Sequence, residues 1–271
     1  MVEGNYAFEE ILNSTSHGIA FLFSVLGCII LMSEVMSDTN GKMHPNEGMS
    51  VHFWACAVYS FSLMFLFLCS SLYHSFFMLP MASRVLQILD HVGIYMLIAG
   101  SYTPFLLIGL HGQLSATVLL CAEWLAVFCG ILFSAQADFN SETTTIIELV
   151  TFVAMGCSVA FIWPSMSASL STAAIGLLVG GGAAYVVGIY FFIKGETKPI
   201  YHTVWHLFVI LGAACHWFDV YLFVVNTRLG DVFQHCLLDL SDTIATGEIH
   251  SDHAAELLHL CIEGLNNESA H

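Results

Sequence analysis

The stretch "KPIYHTVWHLFVILGAACHWFDVYLFV", Lys198 to Val224, has the apolar character of a membrane-spanning helix, yet it contains three histidines and one aspartate. It is longer than the roughly 20 residues that a helix needs to cross a bilayer. An ionisable side chain inside a membrane costs roughly 3 kcal/mol unless it pairs or faces water, so such residues usually mark a functional site. The stretch therefore predicts a transmembrane helix and a site within it.

The composition of the whole chain is that of a membrane protein. Hydrophobic residues make up 57% and charged residues 10% of the 271 residues, and the mean hydropathy is +0.79. A soluble domain has too little interior to hide that much apolar surface. The net charge of −16 argues against nucleic acid as a partner and against a basic patch that holds anionic lipid.

Seven apolar runs are long enough to span a bilayer, and the connections between them are too short to form a separate domain. We therefore predict an all-α integral membrane protein, a seven-transmembrane helix bundle with a zinc site near one membrane face. Residues 1–17 form a cytoplasmic N-terminal segment, residues 18–228 the transmembrane domain, and residues 229–271 an acidic soluble tail. The predicted runs are Gly18–Val35, Val51–Leu79, Val85–Leu110, Ser115–Ala135, Ile146–Pro164, Thr172–Ile193 and Tyr201–Val225.

The tail keeps one apolar pattern. In "HAAELLHLCIEGL", His253 to Leu265, apolar residues recur at helical spacing and predict one amphipathic helix.

Seven of the nine cysteines lie inside the predicted spans, where a small apolar residue packs well. We therefore expect no disulfide framework.

The orientation rests on five basic residues. With the N-terminus in the cytoplasm, Arg84, Lys194 and Lys198 fall inside, while Lys42 and Arg228 fall outside. This excess favours a cytoplasmic N-terminus and an outer C-terminus under the positive-inside rule. We expect a multi-pass protein of the cell membrane.

Two N-glycosylation acceptor patterns report on this orientation. They are "NST", beginning at Asn13, and "NES", beginning at Asn267. The predicted topology places them on opposite sides of the membrane.

Polar residues near the ends of the spans gather on one side. His202 and His206 are four residues apart at the start of the seventh run, so a helix presents both imidazoles on one face. Ser70 and His74 have the same spacing at the end of the second run, and Asp90 lies at the start of the third. Because consecutive spans alternate in direction, all five residues lie on the side that holds the N-terminus.

Three neutral imidazoles from two helices suit zinc and leave a fourth tetrahedral position for water. We predict that His74, His202 and His206 bind Zn²⁺. In this hypothesis Asp90 holds or deprotonates the metal-bound water, and Ser70 orients that water or donates to a developing oxyanion.

The start of the first run carries further polar groups on the same side. Glu10, Asn13 and His17 are candidates for positioning the ligands. Two alternatives remain open. The histidines hydrogen-bond between helices and only hold the bundle together, or Asp90 or His17 closes the metal site, which makes the zinc structural.

Other polar residues, the proline and the glycine-rich run are assigned roles outside the metal site. His91 diverges by about 100° from Asp90 on a helix and is left out of the site. His216 and Asp219 lie more than two turns beyond His206, too far to bind the same ion, and are candidates for an inter-helical polar pair. Pro104 should kink the third helix, and the glycine-rich run "GLLVGGGAAYVVG" should allow close helix packing.

Several of these motifs resemble those of a known family. "NSTSHGIAFLFSVLG" and "HTVWHLFVILGAACHWFDV", with Ser70-x3-His74 and Asp90, resemble the progestin and adipoQ receptor superfamily and are most similar to its haemolysin III branch. The resemblance extends to about Asn226 and excludes the acidic tail. We expect no long cytoplasmic N-terminal domain of the kind found in the receptor branch.

The resemblance implies a seven-helix bundle, opposite in topology to G-protein-coupled receptors, with zinc near the cytoplasmic face. It implies that His74, His202 and His206 are the zinc ligands, that Asp90 binds through a water, and that Ser70 belongs to the site. The adiponectin-receptor branch is associated with ceramide amide hydrolysis, and the haemolysin III name records pore formation.

Two functions follow as hypotheses. The first is a zinc-dependent membrane hydrolase that cleaves a lipid amide, such as a ceramide-like sphingolipid, through a metal-bound water. The alternative is a seven-helix receptor or pore-forming haemolysin III-like protein with a structural zinc. A cavity open to the lipid favours the first, and a continuous water path favours the second.

Overall fold

The computed structural model describes residues 2–37, 48–195, 197–198 and 200–246, which are almost entirely helical. Three irregular turns interrupt the α-helices: π-helical turns at Phe105–Gly109 and Val220–Val225, and a 3₁₀ turn at Ser158–Ile162. The α-helices are α1 (Val2–Ser37), α2 (Gly48–Ser75), α3 (Pro80–Pro104), α4 (Leu114–Gln136), α5 (Glu142–Cys157), α6 (Trp163–Ser169), α7 (Thr172–Gly195), α8 (Ile200–Asp219) and α9 (Thr227–Thr246).

Seven segments of the described chain are long and apolar enough to cross a membrane, in agreement with the seven predicted runs. The fifth combines α5, the 3₁₀ turn and α6, while the third and seventh each include a π-helical turn. The spans are Tyr6–Ser37, Val51–Ser75, Pro80–Gly109, Leu114–Gln136, Glu142–Ser169, Thr172–Gly195 and Ile200–Val225.

The first helix begins earlier than the apolar pattern predicted. The predicted run starts at Gly18, whereas α1 is already helical at Val2. The added turns are amphipathic with their polar face inward, because Glu10, Asn13 and His17 recur at spacings of three and four and are all buried. A helix of this kind contains no continuous apolar run, so hydropathy alone does not reveal it.

The apolar side of those turns faces outward. Phe8 and Ile11 are 57% and 59% exposed, as expected for side chains that contact lipid. Asn13 lies on the buried face inside α1, so the acceptor pattern that begins there is not accessible for glycosylation.

Small residues bring α7 and α8 together, as the glycine-rich run predicted. A Cβ atom at Gly188 would lie 2.7 Å from Cε3 of Trp205, and one at Gly181 would lie 2.5 Å from Cδ2 of His216. Neither distance is allowed for a real side chain. The absence of a side chain at these positions is therefore what lets α8 lie against α7.

At Pro104, where a kink was predicted, the α-helix ends and the chain continues as a π-helical turn. Proline has no amide hydrogen and its ring clashes with the preceding turn, so the regular helix ends there. The amide of Leu110 then donates to the carbonyl of Phe105, 2.9 Å away, five residues earlier. The third span thus changes helix type before it leaves the bundle.

Beyond the seventh span, the chain forms a helix that the sequence pattern did not predict. α9 begins at Thr227, and the side-chain oxygen of its Gln234 accepts from the amide of Ala173, 2.9 Å away, at the start of α7. The predicted tail helix, His253 to Leu265, lies outside the described residues. The cysteines of the spans are free thiols as expected, but Cys236 of α9 is disulfide-bonded, which was not expected.

Candidate metal centre

The structure brings the three predicted ligands together. His74 lies in the last turn of α2, and His202 and His206 lie in the first two turns of α8. One ligand atom from each residue lies within 4.8 Å of the other two. His74 and His206 are buried and His202 is half-buried. Three imidazoles at this separation are able to surround a single ion.

A carboxylate on α1 fixes the orientation of His74. Its Nδ1 lies 2.7 Å from Oε2 of Glu10. A carboxylate accepts here, so Nδ1 carries the hydrogen and Nε2 keeps its lone pair. Nε2 of His74 is buried and has no hydrogen-bond partner in the described part of the chain. An unpartnered buried lone pair fits a metal ligand.

The backbone of α1 orients His206 in the same manner. Nδ1 of His206 lies 3.2 Å from the carbonyl oxygen of Asn13 and 3.3 Å from Oγ of Ser16. Because a carbonyl only accepts, Nδ1 donates and Nε2 is left for a metal. The hydroxyl of Thr203 donates to Oδ1 of Asn13, 2.5 Å away, and ties α8 to α1. Asn13 therefore holds two residues of α8.

His17 lies against the cluster without joining it. Its ring stacks on His206 at a centroid distance of 3.8 Å and an interplanar angle of 11°. Neither ring nitrogen of His17 has a hydrogen-bond partner among the described residues. Its contact with the cluster is therefore the packing of one ring on another.

Asp90 and Ser70 lie beside the cluster. The Asp90 carboxyl interacts with the Ser70 hydroxyl and, electrostatically, with the imidazoles of His74 and His91. Across the described chain, the set of ligand atoms within 4.8 Å contains the three histidines and not Asp90. Asp90 is therefore not one of the three grouped ligands, and its predicted role through a metal-bound water stays a prediction.

A second buried polar group was missed in the sequence. Nδ1 of His91 lies 2.7 Å from Oε2 of Glu148, and Oγ of Ser134 donates to Oε1 of the same carboxylate, 3.2 Å away. These bonds link α3, α4 and α5. Glu148 carried a signal that could have found it, because it is an ionisable residue inside an apolar run.

Another buried carboxyl joins the fourth and fifth spans. The hydroxyl of Ser158, in the 3₁₀ turn, donates to Oε1 of Glu123, 2.8 Å away. Glu123 also interrupts an apolar run, so the same signal was available. This pair stabilises the fifth span where its helix is irregular.

The polar pair suggested for His216 and Asp219 does not form. Nε2 of His216 donates to the carbonyl of Leu178, 3.2 Å away. Both carboxyl oxygens of Asp219 are buried without a hydrogen-bond partner in the described residues. His216 therefore has a hydrogen-bond partner on α7, whereas Asp219 has none among the described residues.

A cavity of about 590 Å³ begins one helical turn beneath the cluster. Its near wall contains Leu66 and Ile94, each one turn from Ser70 or Asp90, together with Val209 of α8. At the far end it reaches His216. Its lining includes residues that are exposed at the outer surface of the bundle, among them Val153 of α5 and Val179 and Val186 of α7.

The chain has relatives among known proteins. Residues 5–217 match the family described as Haemolysin-III related. Hemolysin-3 of Bacillus cereus is 36% identical over 219 residues, which cover 81% of this chain and 93% of the relative. The Hemolysin-3 homolog of Bacillus subtilis is 33% identical over 80% of this chain and 95% of the relative. The human monocyte to macrophage differentiation factor is 29% identical over 63% of this chain and 70% of the relative.

The match ends at residue 217, close to the end of α8, so the first six spans and the histidine cluster lie within it, the seventh span lies mostly within it, and α9 does not. This multi-pass membrane protein belongs to the haemolysin III-related family, the branch of the progestin and adipoQ receptor superfamily that its motifs resemble.

Proposed function

We propose that this protein is a zinc-dependent membrane hydrolase that cleaves an amide bond of a membrane lipid. The observation that carries the proposal is the convergence of three imidazoles, two of them oriented through Nδ1, above a cavity that opens on the lipid-facing surface. Catalytic zinc sites use three protein ligands, whereas structural sites use four. In the described chain, no fourth histidine, cysteine or carboxylate atom joins the group.

The residues of the chain have distinct roles in this proposal. His74, His202 and His206 hold the ion, and Glu10 and the Asn13 carbonyl fix the direction of two of the rings. A zinc ion in such a site supplies a Lewis acid and lowers the pKa of a bound water to about 7.

Asp90 accepts the proton of the attacking water, and the Ser70 hydroxyl holds the Asp90 carboxyl toward the cluster. Both residues lie one turn above the cavity wall. In this proposal, the amide carbonyl of the lipid lies at the near wall of the cavity, between Asp90 and the three histidines.

The cavity supports a lipid substrate. Its wall is made mostly of apolar side chains from α3, α5, α7 and α8, which suits an acyl chain. An amide-linked lipid such as a ceramide places its polar bond near the membrane face and its chains in the hydrocarbon. The site lies near one end of α2 and α8, where that bond would meet it.

Metal content and turnover test the proposal together. Protein purified without chelators should contain about one zinc per chain, and it should release fatty acid from a lipid amide in detergent or vesicles. His202→Ala should lose most of the metal and the activity, because two imidazoles hold an ion far less firmly than three. His111→Ala, at an exposed position outside the cluster, is the matched control and should keep both. A wild-type protein without zinc would exclude the proposal.

The names of two relatives support a second candidate. Both bacterial relatives are named for haemolysis, which motivates a pore-forming function with a structural zinc. Leakage of a small dye from vesicles that contain the wild-type protein tests it. Zinc and leakage without turnover would favour the pore, and turnover without leakage would favour the hydrolase.

A further inference from the structure

Asp219 is a carboxyl group in the interior of the seventh span. It is 0% exposed, and it lies six residues before the span ends at Val225. Both of its carboxyl oxygens lack a hydrogen-bond partner among the described residues, and no ion pair in that part of the chain includes it. An ionised carboxylate without a partner is strongly unfavourable inside a membrane protein. A positive charge is therefore needed beside it.

The hydroxyl of Tyr59, on α2, is a second buried polar group without a partner. Tyr59 is 0% exposed, and its oxygen has no hydrogen-bond partner in the described part of the chain. It interacts electrostatically with Asp219 and with Tyr185 of α7. The ring of Tyr185 packs against Gly212 of α8, where an added Cβ would lie 2.7 Å from Cε1 of that ring. Oxygen-bearing side chains of α2, α7 and α8 therefore converge in the interior of the bundle.

The backbone around Asp219 does not compensate its charge. The regular helix α8 ends at Asp219, and the π-helical turn Val220–Val225 follows, in which the amide of Asn226 donates to the carbonyl of Tyr221, 2.8 Å away. A helix dipole favours an anion at the N-terminal end, and Asp219 lies toward the other end. Interrupted helices in membrane proteins often mark functional sites, and their carbonyl oxygens bind cations in transporters.

The donor set is typical of a hard monovalent cation. A proton would cancel the charge of Asp219 but would give the Tyr59 oxygen no partner, whereas one cation contacts lone pairs of both groups. Oxygen ligands suit hard cations, and a single carboxylate balances one positive charge. The neighbouring thiols of Cys56 and Cys215 do not form a group of metal ligands with Asp219 in the described chain, which argues against zinc at this point.

We propose that Asp219 and Tyr59 bind one sodium ion in the interior of the bundle, at a site separate from the histidine cluster. Neither residue lines the cavity of about 590 Å³, so the space between them is small and suits Na⁺ better than the larger K⁺. Asp219 lies about 20 Å along the helix from His206. The ion contacts both α2 and α8, and it therefore stabilises the folded bundle.

Thermal unfolding of the full chain in detergent tests the site, with sodium chloride compared against choline chloride at equal ionic strength. At about 0.15 M, sodium should raise the melting temperature of the wild type by about 3 °C, because an ion that binds only the folded state stabilises it. Potassium chloride should give less than half of that shift. Equal shifts in sodium and potassium would show a general effect of salt and overturn the site, as would no shift in either.

Two substitutions locate the ion. Asp219→Asn keeps the shape of the side chain, removes its charge and should abolish the sodium shift. Tyr59→Phe removes one hydroxyl and should require about tenfold more sodium for the same shift. Tyr95→Phe, at a buried tyrosine of α3, is the matched control and should respond as the wild type does.

Each variant is compared with itself in the two salts, so a change in its own stability does not affect the result. If Asp219→Asn does not fold, Tyr59→Phe decides, because it keeps the carboxylate. A sodium shift that is unchanged in Tyr59→Phe, or that persists in Asp219→Asn, would place the ion elsewhere and overturn the proposal.

Discussion

His74 and His206 are both oriented from α1, but by partners that differ in charge. Glu10 offers a carboxylate to His74, whereas Asn13 offers a backbone carbonyl to His206. A charged acceptor makes the opposite ring nitrogen a stronger donor to a metal. Glu10 should therefore influence metal affinity although it is not a ligand.

Glu10→Gln tests that role. The amide keeps the size of the side chain but weakens its hold on Nδ1 of His74, so zinc affinity should fall by about 10- to 100-fold. Competition with a chelator of known affinity measures the change. The control is Glu9→Gln at the neighbouring position, where Oε2 has no hydrogen-bond partner among the described residues. Equal affinities of the two variants would remove Glu10 from the site.

Asp90→Asn separates metal binding from turnover. Because Asp90 lies outside the ligand set, this variant should keep its zinc while lipid hydrolysis falls by about 100-fold or more. Metal analysis and the hydrolysis assay are run on the same sample. Loss of zinc as complete as in His202→Ala would make Asp90 a direct ligand, and the fourth position would no longer be open to water.

Asp219 is a position where substitution should increase stability. Both of its carboxyl oxygens are buried without a partner among the described residues, and a buried carboxyl costs more than a buried amide. Asp219→Asn, nearly equal in volume, should stabilise the folded protein by about 1 kcal/mol, seen as a higher melting temperature in detergent without sodium. Asp231→Asn, at an exposed position on α9, should change little. A lower melting temperature for Asp219→Asn would show that the carboxyl has a functional or structural partner.

At the scale of the helices, the close contact between α7 and α8 also supports the cluster. Trp205 packs against Gly188 and is the residue before His206. The packing of α7 therefore fixes the rotation of α8 about its axis, and with it the direction of both of its histidines.

Gly188→Val should disturb this contact. Its Cβ would lie 2.7 Å from Trp205 and 2.9 Å from Phe208, so the helices must shift, at a cost of about 1–3 kcal/mol. Both the melting temperature and zinc affinity should fall. Gly180→Val is the matched control on the same helix, because a Cβ added there would meet no described atom within 4 Å. If both variants behaved alike, helix propensity rather than packing would explain the loss.

The helices also show what the sequence reveals of such a protein. Hydropathy predicts the spans because lipid-facing residues must be apolar along about 20 positions, and alternation of direction then gathers His74, Asp90 and His202 on one side. The pairing of Glu10 with His74, and of His91 with Glu148, depends on how the helices rotate against one another. A single sequence does not contain that rotation, so these partners were found only in the structure.

At the scale of the whole molecule, two regions of buried polar groups lie toward opposite ends of the bundle. The histidine cluster and the His91–Glu148 pair lie near the ends of the spans on one side, while Asp219 lies near the opposite end of α8, close to α9. The cavity runs between these regions and opens through the bundle wall. In the proposed hydrolase, a lipid that enters this cavity from the bilayer comes within about one helical turn of the cluster.

The orientation of the bundle in the membrane is testable through the tail. Asn13 cannot report on it, because it is buried inside α1, so an acceptor sequence added before residue 1 takes its place. Expressed in a eukaryotic secretory membrane, a tail extended beyond His271 should carry a glycan at Asn267, and the added N-terminal acceptor should not. The measurement is a mass shift removed by a glycosidase.

Modification of the N-terminal acceptor alone would reverse the orientation. It would place the histidine cluster at the outer face and the tail in the cytosol, where a disulfide at Cys236 would not persist. The glycan and the disulfide therefore report the same side of the membrane by independent chemistry. The cluster itself would survive such a result, because span alternation fixes only that its members share a face, and the distances among them do not depend on which face that is.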